Sequence, residues 1–310
     1  MPPTRRFAVA ASVLLPYTVA VVLWGAFVRA SLSGDGCGDH WPLCNGVVLP
    51  VEPSSKTIVE LTHRVTSGLC WIATLAMWVW SLRLFRKGHP TRSAAGWSLL
   101  FMTTEALIGA GLVLFRMVAD NPSTALAAWM SAHLTNTFLL LAALTWLMAS
   151  AKHVPGLRWP TETRARALFG GAAALLLAAG VSGAVAALGD TLFPAASLTE
   201  ALEADLSPSS HLFLRLRLWH PVLAIAGSGY LVWLTGLLLR DPGGTRLRVP
   251  ALGLGVLALT QLALGFLNVA LLAPVWLQLV HLLIADSIWI VLTLLALSSP
   301  GRIPGANLAA

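Results

Sequence analysis

The sequence predicts an all-α integral membrane protein with eight transmembrane helices, arranged as two pseudo-repeated four-helix bundles with both termini in the cytoplasm. Of the 310 residues, 57% are hydrophobic and only 11% are charged, and the mean hydropathy is +0.77, far above that of a soluble domain. Eight apolar runs are each long enough to cross about 30 Å of hydrocarbon. The pattern of polar residues also repeats at about half the chain length.

The eight predicted spans are joined by mostly short connections. They cover residues 8–29, 57–82, 95–117, 125–149, 167–189, 214–239, 250–272 and 275–297. The longest connections are loop 1–2, at about 30–56, and loop 5–6, at about 190–213. The first apolar run is too long for a signal peptide and no small-residue cleavage site clearly follows it, so we expect it to be a span.

The distribution of charged residues predicts the orientation. Basic residues lie before helix 1 and around loops 2–3, 4–5 and 6–7: Arg5, Arg6, Arg83, Arg86, Lys87, Arg92, Lys152, Arg158, Arg164, Arg166, Arg240, Arg246 and Arg248. Acidic residues lie in the opposite loops: Asp35, Asp39, Glu52, Asp120, Asp190, Glu200, Glu203 and Asp205. Short loops rich in Lys and Arg stay in the cytoplasm. The net charge of +7 therefore reflects sidedness, and we expect no nucleic-acid partner.

An internal repeat predicts two units. His63 and His220 are 157 positions apart in the sequence. His133 and His281 are separated by 148 positions. Thr104-Glu105 followed by Gly109 is echoed by Thr260-Gln261 followed by Gly265. We expect four-helix bundles over residues 1–150 and 151–310, related as parallel repeats because four spans return the chain to its starting side.

The four histidines of helices 2, 4, 6 and 8 are the main candidate site residues. Each lies about two turns inside its span from the outer side, on the order of 10 Å deep. A histidine in hydrocarbon is rare and usually functional, and helix bundles often build cofactor sites in their cores. The pairs His63 with His133 and His220 with His281 are predicted to hold two haem irons.

Two other interpretations of the histidines stay open at this point. Each could simply bond to a neighbouring helix, as polar residues do in membranes. A zinc or copper site would need further Cys, Asp or Glu ligands at short spacing, and only Glu60 is nearby.

Glu60 and three arginines lie close to these histidines in the sequence. Glu60 precedes His63 by one turn and could accept a proton, stabilise positive charge or orient the imidazole, or it could be an interfacial acid. Arg64, Arg215 and Arg217 are candidates for binding haem propionates, since guanidinium groups form bidentate pairs with carboxylates.

The remaining candidates are two cysteines and two acids. Cys37 and Cys44 lie in loop 1–2 on the oxidising side, where a disulfide is expected, although a redox role stays open. Cys70 is expected to be an inert packing residue. Glu105 and Asp286 lie within apolar runs and could be neutral and hydrogen-bonded or serve proton movement. For Glu105 we favour packing or hydrogen bonding, because its repeat partner Gln261 carries no charge.

Several motifs together resemble the heme A synthase family of bacteria, over nearly the whole chain. The first-half motifs are Gly25-Ala26-Phe27-Val28-Arg29, Gly36-Cys37-Gly38, Trp41-Pro42-Leu43-Cys44-Asn45-Gly46 and Glu60-Leu61-Thr62-His63-Arg64. The second-half motifs are Trp219-His220-Pro221, Gln261-Leu262-Ala263-Leu264-Gly265 with Asn268-Val269, and His281-Leu282. The Glu-x-x-His-Arg element beside the cysteine loop is the most specific of them.

The resemblance implies an enzyme of the bacterial cytoplasmic membrane that oxidises the C8 methyl group of heme O to a formyl group, giving heme A for cytochrome c oxidase. By analogy, His63 and His133 would hold the substrate or product haem, and His220 and His281 would ligate a resident heme b. Glu60 would be the carboxylate at the reacting haem, and Cys37 with Cys44 would shape the mouth of the substrate site. Heme O synthase and an electron donor are candidate partners, and homo-oligomerisation stays open.

The sequence departs from that family at one point, and two other functions compete with the one that the family implies. Many bacterial members carry a second cysteine pair in loop 5–6, which this chain does not have. The main alternative is a quinol-linked membrane cytochrome with two haems and no substrate oxidation. Such proteins tend to place haems near both membrane faces, whereas both sites here are predicted at one face. A transporter with histidine proton relays is the third class.

The chemical route is also left open by the sequence. Iron with two axial imidazoles has no vacant position, so oxygen could bind it only after His63 or His133 is released. Alternatively, electrons leave the macrocycle and water attacks the activated methyl carbon, with Glu60 as charge stabiliser or base.

Overall fold

A computed structural model describes residues 2–118, 121–154, 157–240 and 245–299. Among these residues all regular structure is helical, and eight spans are long and apolar enough to cross a membrane. The all-α membrane fold with eight spans is therefore confirmed. Asp120, the side chain of Arg246 and the end of the proposed 151–310 unit lie outside the described residues.

In the described part of the chain, ten helical segments form the eight spans and one loop helix. They are α1 Pro3–Ala30, α2 Ser55–Leu84, α3 Pro90–Leu114, α4 Thr124–Ala151, α5 Thr163–Leu192, α6 Leu198–Leu206, α7 Leu212–Arg217, α8 Trp219–Leu239, α9 Thr245–Ala270 and α10 Val275–Ser298. Segments α7 and α8 meet at Leu218 and form a single span. The predicted spans agree with these helices to within a few residues at most ends.

The short helix α6 was not predicted. It begins after Ser197, whose hydroxyl accepts the Glu200 N–H at 3.2 Å, while the Glu200 carboxylate accepts the Ala196 N–H at 2.8 Å. A Ser followed three residues later by Glu is a helix-start signal. That signal is visible in the sequence of loop 5–6, but the segment is not apolar enough to register as a span.

The spans close into two rings with the same order of neighbours. In the first helix set, α1 to α4, each helix packs on the next and α4 packs on α1. In the second helix set, α5 to α10, the spans α5, α8, α9 and α10 pack in the same circular order. The sets meet where α4 contacts α5 and α10, and where α1 contacts α10.

Each set has an apolar core, and the two cores touch at Leu176 of α5. The first contains Phe7, Leu14, Leu141, Leu144 and Leu147 among its buried residues. The second contains Leu231, Leu234, Leu254, Ile288 and Leu295. Most of the buried apolar side chains of each set therefore pack within that set.

Among the described residues, two side chains form hydrogen bonds between the sets. Trp289 of α10 donates its indole N–H to the Phe138 carbonyl of α4 at 2.6 Å and stacks on the Phe138 ring, with centroids 4.8 Å apart. Near the other end, Arg29 of α1 donates to acceptors of the second set. These are the Ala187 carbonyl at 2.9 Å, the Thr191 hydroxyl at 2.8 Å and the Gln278 side-chain oxygen at 2.9 Å.

Candidate functional site

The four candidate histidines lie in matching places of the two sets. Each lies within about three turns of the start of α2, α4, the α7–α8 span or α10. All four of these starts follow the loops predicted to be outside, and we refer to this end of the bundles as the histidine end. Its loops include the cysteine loop, residues 31–54.

His63 and His220 rest on the backbone of a neighbouring helix at a glycine. A Cβ at Gly25 of α1 would lie 2.8 Å from His63 Cε1 and 3.1 Å from its Nε2. A Cβ at Gly183 of α5 would lie 2.8 Å from His220 Cε1 and 3.2 Å from its Nδ1. Both glycines are required here because they leave room for an imidazole.

His133 lies beside a buried carboxylate on α3. Its Nδ1 is 3.3 Å from Glu105 Oε1. The Thr137 hydroxyl donates to Glu105 Oε1 and the Asn136 side-chain amide donates to Oε2, each at 2.5 Å. The Thr104 hydroxyl in turn donates to Asn136 Oδ1 at 2.6 Å. The expected hydrogen-bonding role of Glu105 is thus observed, but its neighbour His133 was not anticipated.

His281 lies beside Gln261 of α9, the position that echoes Glu105. The two Nε2 atoms are 3.0 Å apart, and a Cβ at Gly265 would lie 3.4 Å from His281 Cε1. The sequence did contain a signal for these neighbours, since the Thr-Glu and Thr-Gln echoes lie on the helix before each histidine helix. The resemblance between the two motifs did not by itself reveal what they contact.

His220 and His281 face one another within the second set. Their ring centroids are 6.3 Å apart and the rings are inclined by 82°. His220 Nδ1 lies 3.1 Å from the Ala179 carbonyl and 3.3 Å from the Ser182 hydroxyl. A proton on Nδ1 would leave the Nε2 lone pair free. Imidazole nitrogens bind metals at about 2 Å, so this separation leaves room for one metal ion between the rings.

The other imidazoles also carry unused polar atoms. The Nδ1 atoms of His63 and His281 are buried and have no hydrogen-bond partner in the described part of the chain, whereas the Nδ1 of His133 lies beside the Glu105 carboxylate. Buried polar nitrogens without partners are costly and call for a ligand. Across the described ranges, no group of three or more His, Cys, Asp or Glu side chains is placed to hold a metal. The donor set thus fits a haem, which needs two imidazoles, better than a zinc cluster.

Cys37 and Cys44 form the expected disulfide, and both residues are fully buried. Glu60 and Arg64 of α2 hold the cysteine loop over this end of α2. The Cys37 N–H donates to Glu60 Oε2 at 2.7 Å. Arg64 pairs with Glu60 and donates to the carbonyls of His40 at 2.5 Å and Leu43 at 2.6 Å.

A second ion pair joins the cysteine loop to the end of α3. Arg116 donates to the Asp39 carboxylate at 2.5 Å. This hydrogen bond lowers the pKa of Asp39 and raises the pKa of Arg116. Both side chains are exposed to solvent, so the pair contributes little to the stability of the loop.

The three arginines predicted to bind propionates have different surroundings. Arg64 is occupied by Glu60 and the loop carbonyls. Arg217 is occupied by Asp190 at 2.5 Å and Asp205 at 2.6 Å. Arg215 is exposed, and no hydrogen bond or ion pair joins its side chain to another described residue. Binding of haem propionates by these arginines remains a prediction. Of the three, Arg215 has the side chain most available for it.

Comparison with known proteins identifies the family. Residues 8–293 match the family described as cytochrome oxidase assembly protein. The chain belongs to this family. Over 97 residues, 31% of the chain, it is 39% identical to heme A synthase of Halalkalibacterium halodurans, covering 33% of that protein. Over 95 residues it is 38% identical to heme A synthase of Shouchella clausii, and this alignment covers 31% of the chain and 32% of that protein. The resemblance to the heme A synthase family is confirmed.

A longer relative of this chain carries a different name. The chain is 47% identical over 302 residues to a protoheme IX farnesyltransferase of Thermus thermophilus. That alignment covers 97% of the chain and 50% of the relative. The chain therefore spans about half the length of this curated relative.

Proposed function

We propose that this chain is a heme A synthase that oxidises the C8 methyl group of heme O to a formyl group, giving heme A for cytochrome c oxidase. The observation that carries the proposal is the facing pair His220 and His281, 6.3 Å apart, in a chain that belongs to the cytochrome oxidase assembly family. The enzyme would act in the bacterial cytoplasmic membrane, with its histidine end on the extracytoplasmic side and both termini inside.

The two helix sets would bind different haems. The unit 1–150 would hold the substrate haem through His63 and His133, and the unit 151–310 would hold a resident heme b through His220 and His281. The equal circular order of the helices and the matched glycine contacts support this pseudo-repeat. A bound haem supplies one-electron chemistry at iron and a macrocycle that carries the reacting methyl group. The protein would contribute ligands, orientation and exclusion of water.

Glu60 would be the carboxylate at the reacting haem. It lies one turn before His63 on α2, is only 3% exposed, and is held by Arg64 and the Cys37 N–H. A carboxylate fixed in this way can accept a proton without moving and can stabilise positive charge nearby. The same contacts would hold the cysteine loop over the histidine end of the first helix set.

The name of the longer relative fits the same reaction sequence. Farnesylation of protoheme IX gives a haem of the heme O kind, which is the substrate proposed here. We propose that the named transfer belongs to the length of the Thermus protein that this chain does not cover. A heme O synthase would then be the natural partner, since it would pass an apolar product to this chain within the membrane.

Conversion of heme O tests the proposal directly. The purified full chain would be supplied with heme O, a reductant and oxygen, and its haems identified by chromatography. Heme A is the expected product. In a parallel incubation with protoheme IX and farnesyl diphosphate, accumulation of heme O would instead identify a farnesyltransferase. A protein that keeps a b-type spectrum and converts neither substrate would be the quinol-linked cytochrome.

Histidine variants test the division between the sets. His220→Ala and His281→Ala should lose the resident b-type spectrum, whereas His63→Ala should retain it and lose conversion of heme O. His40→Ala, whose side chain is exposed in the cysteine loop, is the matched control and should retain both. Equal loss of pigment in all of the His63, His133, His220 and His281 variants would refute the division.

A further inference from the structure

Helix α6, in loop 5–6, exposes a stripe of leucines at the histidine end. Leu198, Leu202 and Leu206 are spaced by four residues and therefore lie along one side of this helix of 9 residues. Their exposed fractions are 41%, 46% and 70%. An apolar stripe of this kind is unfavourable in water and is typical of a surface that contacts a partner or a membrane.

The other two sides of α6 differ from the leucine stripe and from each other. Ala201 and Asp205 are buried against the rest of the chain. Glu200 and Glu203 are exposed. At about 100° per residue, the leucine stripe lies between the buried side and the acidic side. A helix with one side on protein, one apolar side and one charged side suits the boundary at which protein, lipid and water meet.

Contacts with the neighbouring spans place α6 at the depth of that boundary. The helix packs directly on α7, and its Asp205 carboxylate accepts a hydrogen bond from Arg217 Nε at 2.9 Å. Arg217 follows Leu212, the first residue of the α7–α8 span, by five positions, about 8 Å along the axis. Arg217 also pairs with Asp190 in the last turn of α5. Helix α6 therefore lies beside the ends of two spans, where lipid headgroups meet the hydrocarbon.

The adjoining span carries the same kind of surface at this depth. Leu212 and Leu216 of α7 are exposed, and so is Trp219 at the start of α8. Tryptophan is enriched where a span leaves the membrane, and apolar side chains exposed on a span suit hydrocarbon rather than water. The leucine stripe of α6 thus continues a surface that already belongs to a membrane span, which favours lipid over a protein partner as its occupant.

We propose that α6 is an interfacial helix that inserts Leu198, Leu202 and Leu206 into the lipid bilayer at the histidine end. The acidic side would stay in water, and the pair of Asp205 with Arg217 would tie the helix to the protein. Helix α6 carries no basic residue, so hydrocarbon rather than an anionic headgroup would be the part of the lipid that it contacts. This contact goes beyond the haem chemistry and does not depend on conversion of heme O.

Spin labels test where the leucines lie. Leu202→Cys, Leu206→Cys, Glu203→Cys and Val256→Cys would each be made together with Cys70→Ala, so that a nitroxide attaches at one position. The full chain would be placed in phosphatidylcholine nanodiscs that hold a single copy. For each label we would measure collisions with oxygen, which concentrates in hydrocarbon, and with a nickel chelate, which stays in water.

The labels at Leu202 and Leu206 should collide more with oxygen than with nickel. The label at Val256, which is exposed in the middle of α9, should behave in the same way, and the label at Glu203 should show the reverse. Nickel access at Leu202 as large as that at Glu203 would overturn the proposal, because the stripe would then lie in water. Shielding of Leu202 from both reagents would also overturn it, since the leucines would then pack on protein or haem.

A charge placed in the stripe gives a second test that needs no label. Leu202→Glu should raise the amide exchange rate of α6 several-fold in nanodiscs, because a carboxylate is unfavourable in hydrocarbon and the helix would leave the bilayer surface. Glu203→Gln is the matched control, since it changes the acidic side of the same helical turn and should leave the exchange rate unchanged. Equal exchange in Leu202→Glu and the wild type would contradict the lipid contact.

Discussion

Gly183 of α5 lies directly against the imidazole of His220, so that a Cβ at this position would be 2.8 Å from His220 Cε1. Real Cβ atoms do not approach so closely, and the ring would have to move. The glycine therefore sets where this ring can lie, although it contributes no polar atom. The same relationship between Gly25 and His63 makes both glycines part of the candidate site.

Gly183→Ala should weaken binding of the haem proposed for the second set on the order of tenfold, the usual effect of disturbing a residue that orients a metal ligand. Haem content per chain and the b-type absorbance measure this loss. Gly25→Ala should keep that spectrum and lower conversion of heme O. Gly229→Ala is the control, because no atom lies within 4 Å of a Cβ there. Normal haem content in Gly183→Ala would mean that the ring has space not evident from this contact.

Breaking the buried ion pair of the cysteine loop should destabilise the protein. Arg64→Ala leaves the Glu60 carboxylate, whose side chain is only 4% exposed, without its cation. Such a loss typically costs about 3–5 kcal/mol, which thermal unfolding in detergent would measure. Arg116→Ala removes the exposed partner of Asp39 and should cost far less, because water screens that pair. Equal losses of stability in Arg64→Ala and Arg116→Ala would contradict the conclusion that burial makes the Glu60–Arg64 pair the stronger of the two.

The disulfide should stabilise the folded conformation of the cysteine loop, and amide exchange can measure this effect. Cys37 and Cys44 are 7 positions apart, and closing a ring of this size stabilises the folded state by roughly 2–3 kcal/mol. The double variant Cys37→Ser with Cys44→Ser should show faster amide exchange across the loop. Alkylation of the denatured, unreduced wild type should label Cys70 alone, since the sequence has 3 cysteines. Labelling of three thiols would show that the bond does not form.

His89 lies at the end opposite the histidine end and should make the stability of the protein depend on pH. Its Nδ1 accepts the Thr91 N–H at 3.2 Å and caps α3, while burial and the neighbouring His153 lower the pKa of His89. Because the folded state resists protonation, this stability is present above the unfolded pKa of about 6.5. It is lost as the pH falls from that value toward the lower folded pKa. Partial exposure to solvent should keep the loss below the roughly 1 kcal/mol of a full helix cap.

Thermal unfolding between pH 7.5 and 5 measures this effect. His89→Asn can still cap the helix but does not titrate, so its unfolding temperature should fall less over this range. A parallel pH dependence in the wild type and the variant would rule out His89 as the source.

Asp286 of α10 should be replaceable by asparagine. It is fully buried, and neither of its carboxyl oxygens has a hydrogen-bond partner among the described residues. An unpaired carboxylate at such a position would be very costly, so we expect the neutral acid. Asp286→Asn keeps the shape and the neutral state and should cost about 1 kcal/mol, the ordinary effect of a single substitution. A large loss of stability or of heme O conversion would reveal a charged or proton-carrying role.

The spans were predictable because crossing hydrocarbon requires a long apolar helix, and each run of the sequence meets that requirement. The contacts around the histidines were not, because most of these helices are apolar on every side. A helix without a distinct polar face does not reveal which residues turn toward its neighbours. Thus the repeat identified Glu105 and Gln261 as equivalent, but not that they lie beside His133 and His281.

The cysteine loop shows a second limit of sequence reasoning. The partners of Glu60 and Arg64 include the Cys37 N–H and the His40 and Leu43 carbonyls, and nearly every residue type can supply such backbone groups. No side-chain pattern encodes such bonds. Arg217 differs, since Asp190 and Asp205 are acids in the same half of the chain and charge complementarity could have suggested the pairing.

Arg29 belongs to α1, yet its three hydrogen-bond acceptors, Ala187, Thr191 and Gln278, all belong to the second helix set. Parting the sets at this level would leave the Arg29 guanidinium without these three acceptors, which is unfavourable for a charged group. A bulky ligand therefore has no route between the two halves of the protein at this level. It must enter either half through a gap among that half's own helices, or beneath its own loop.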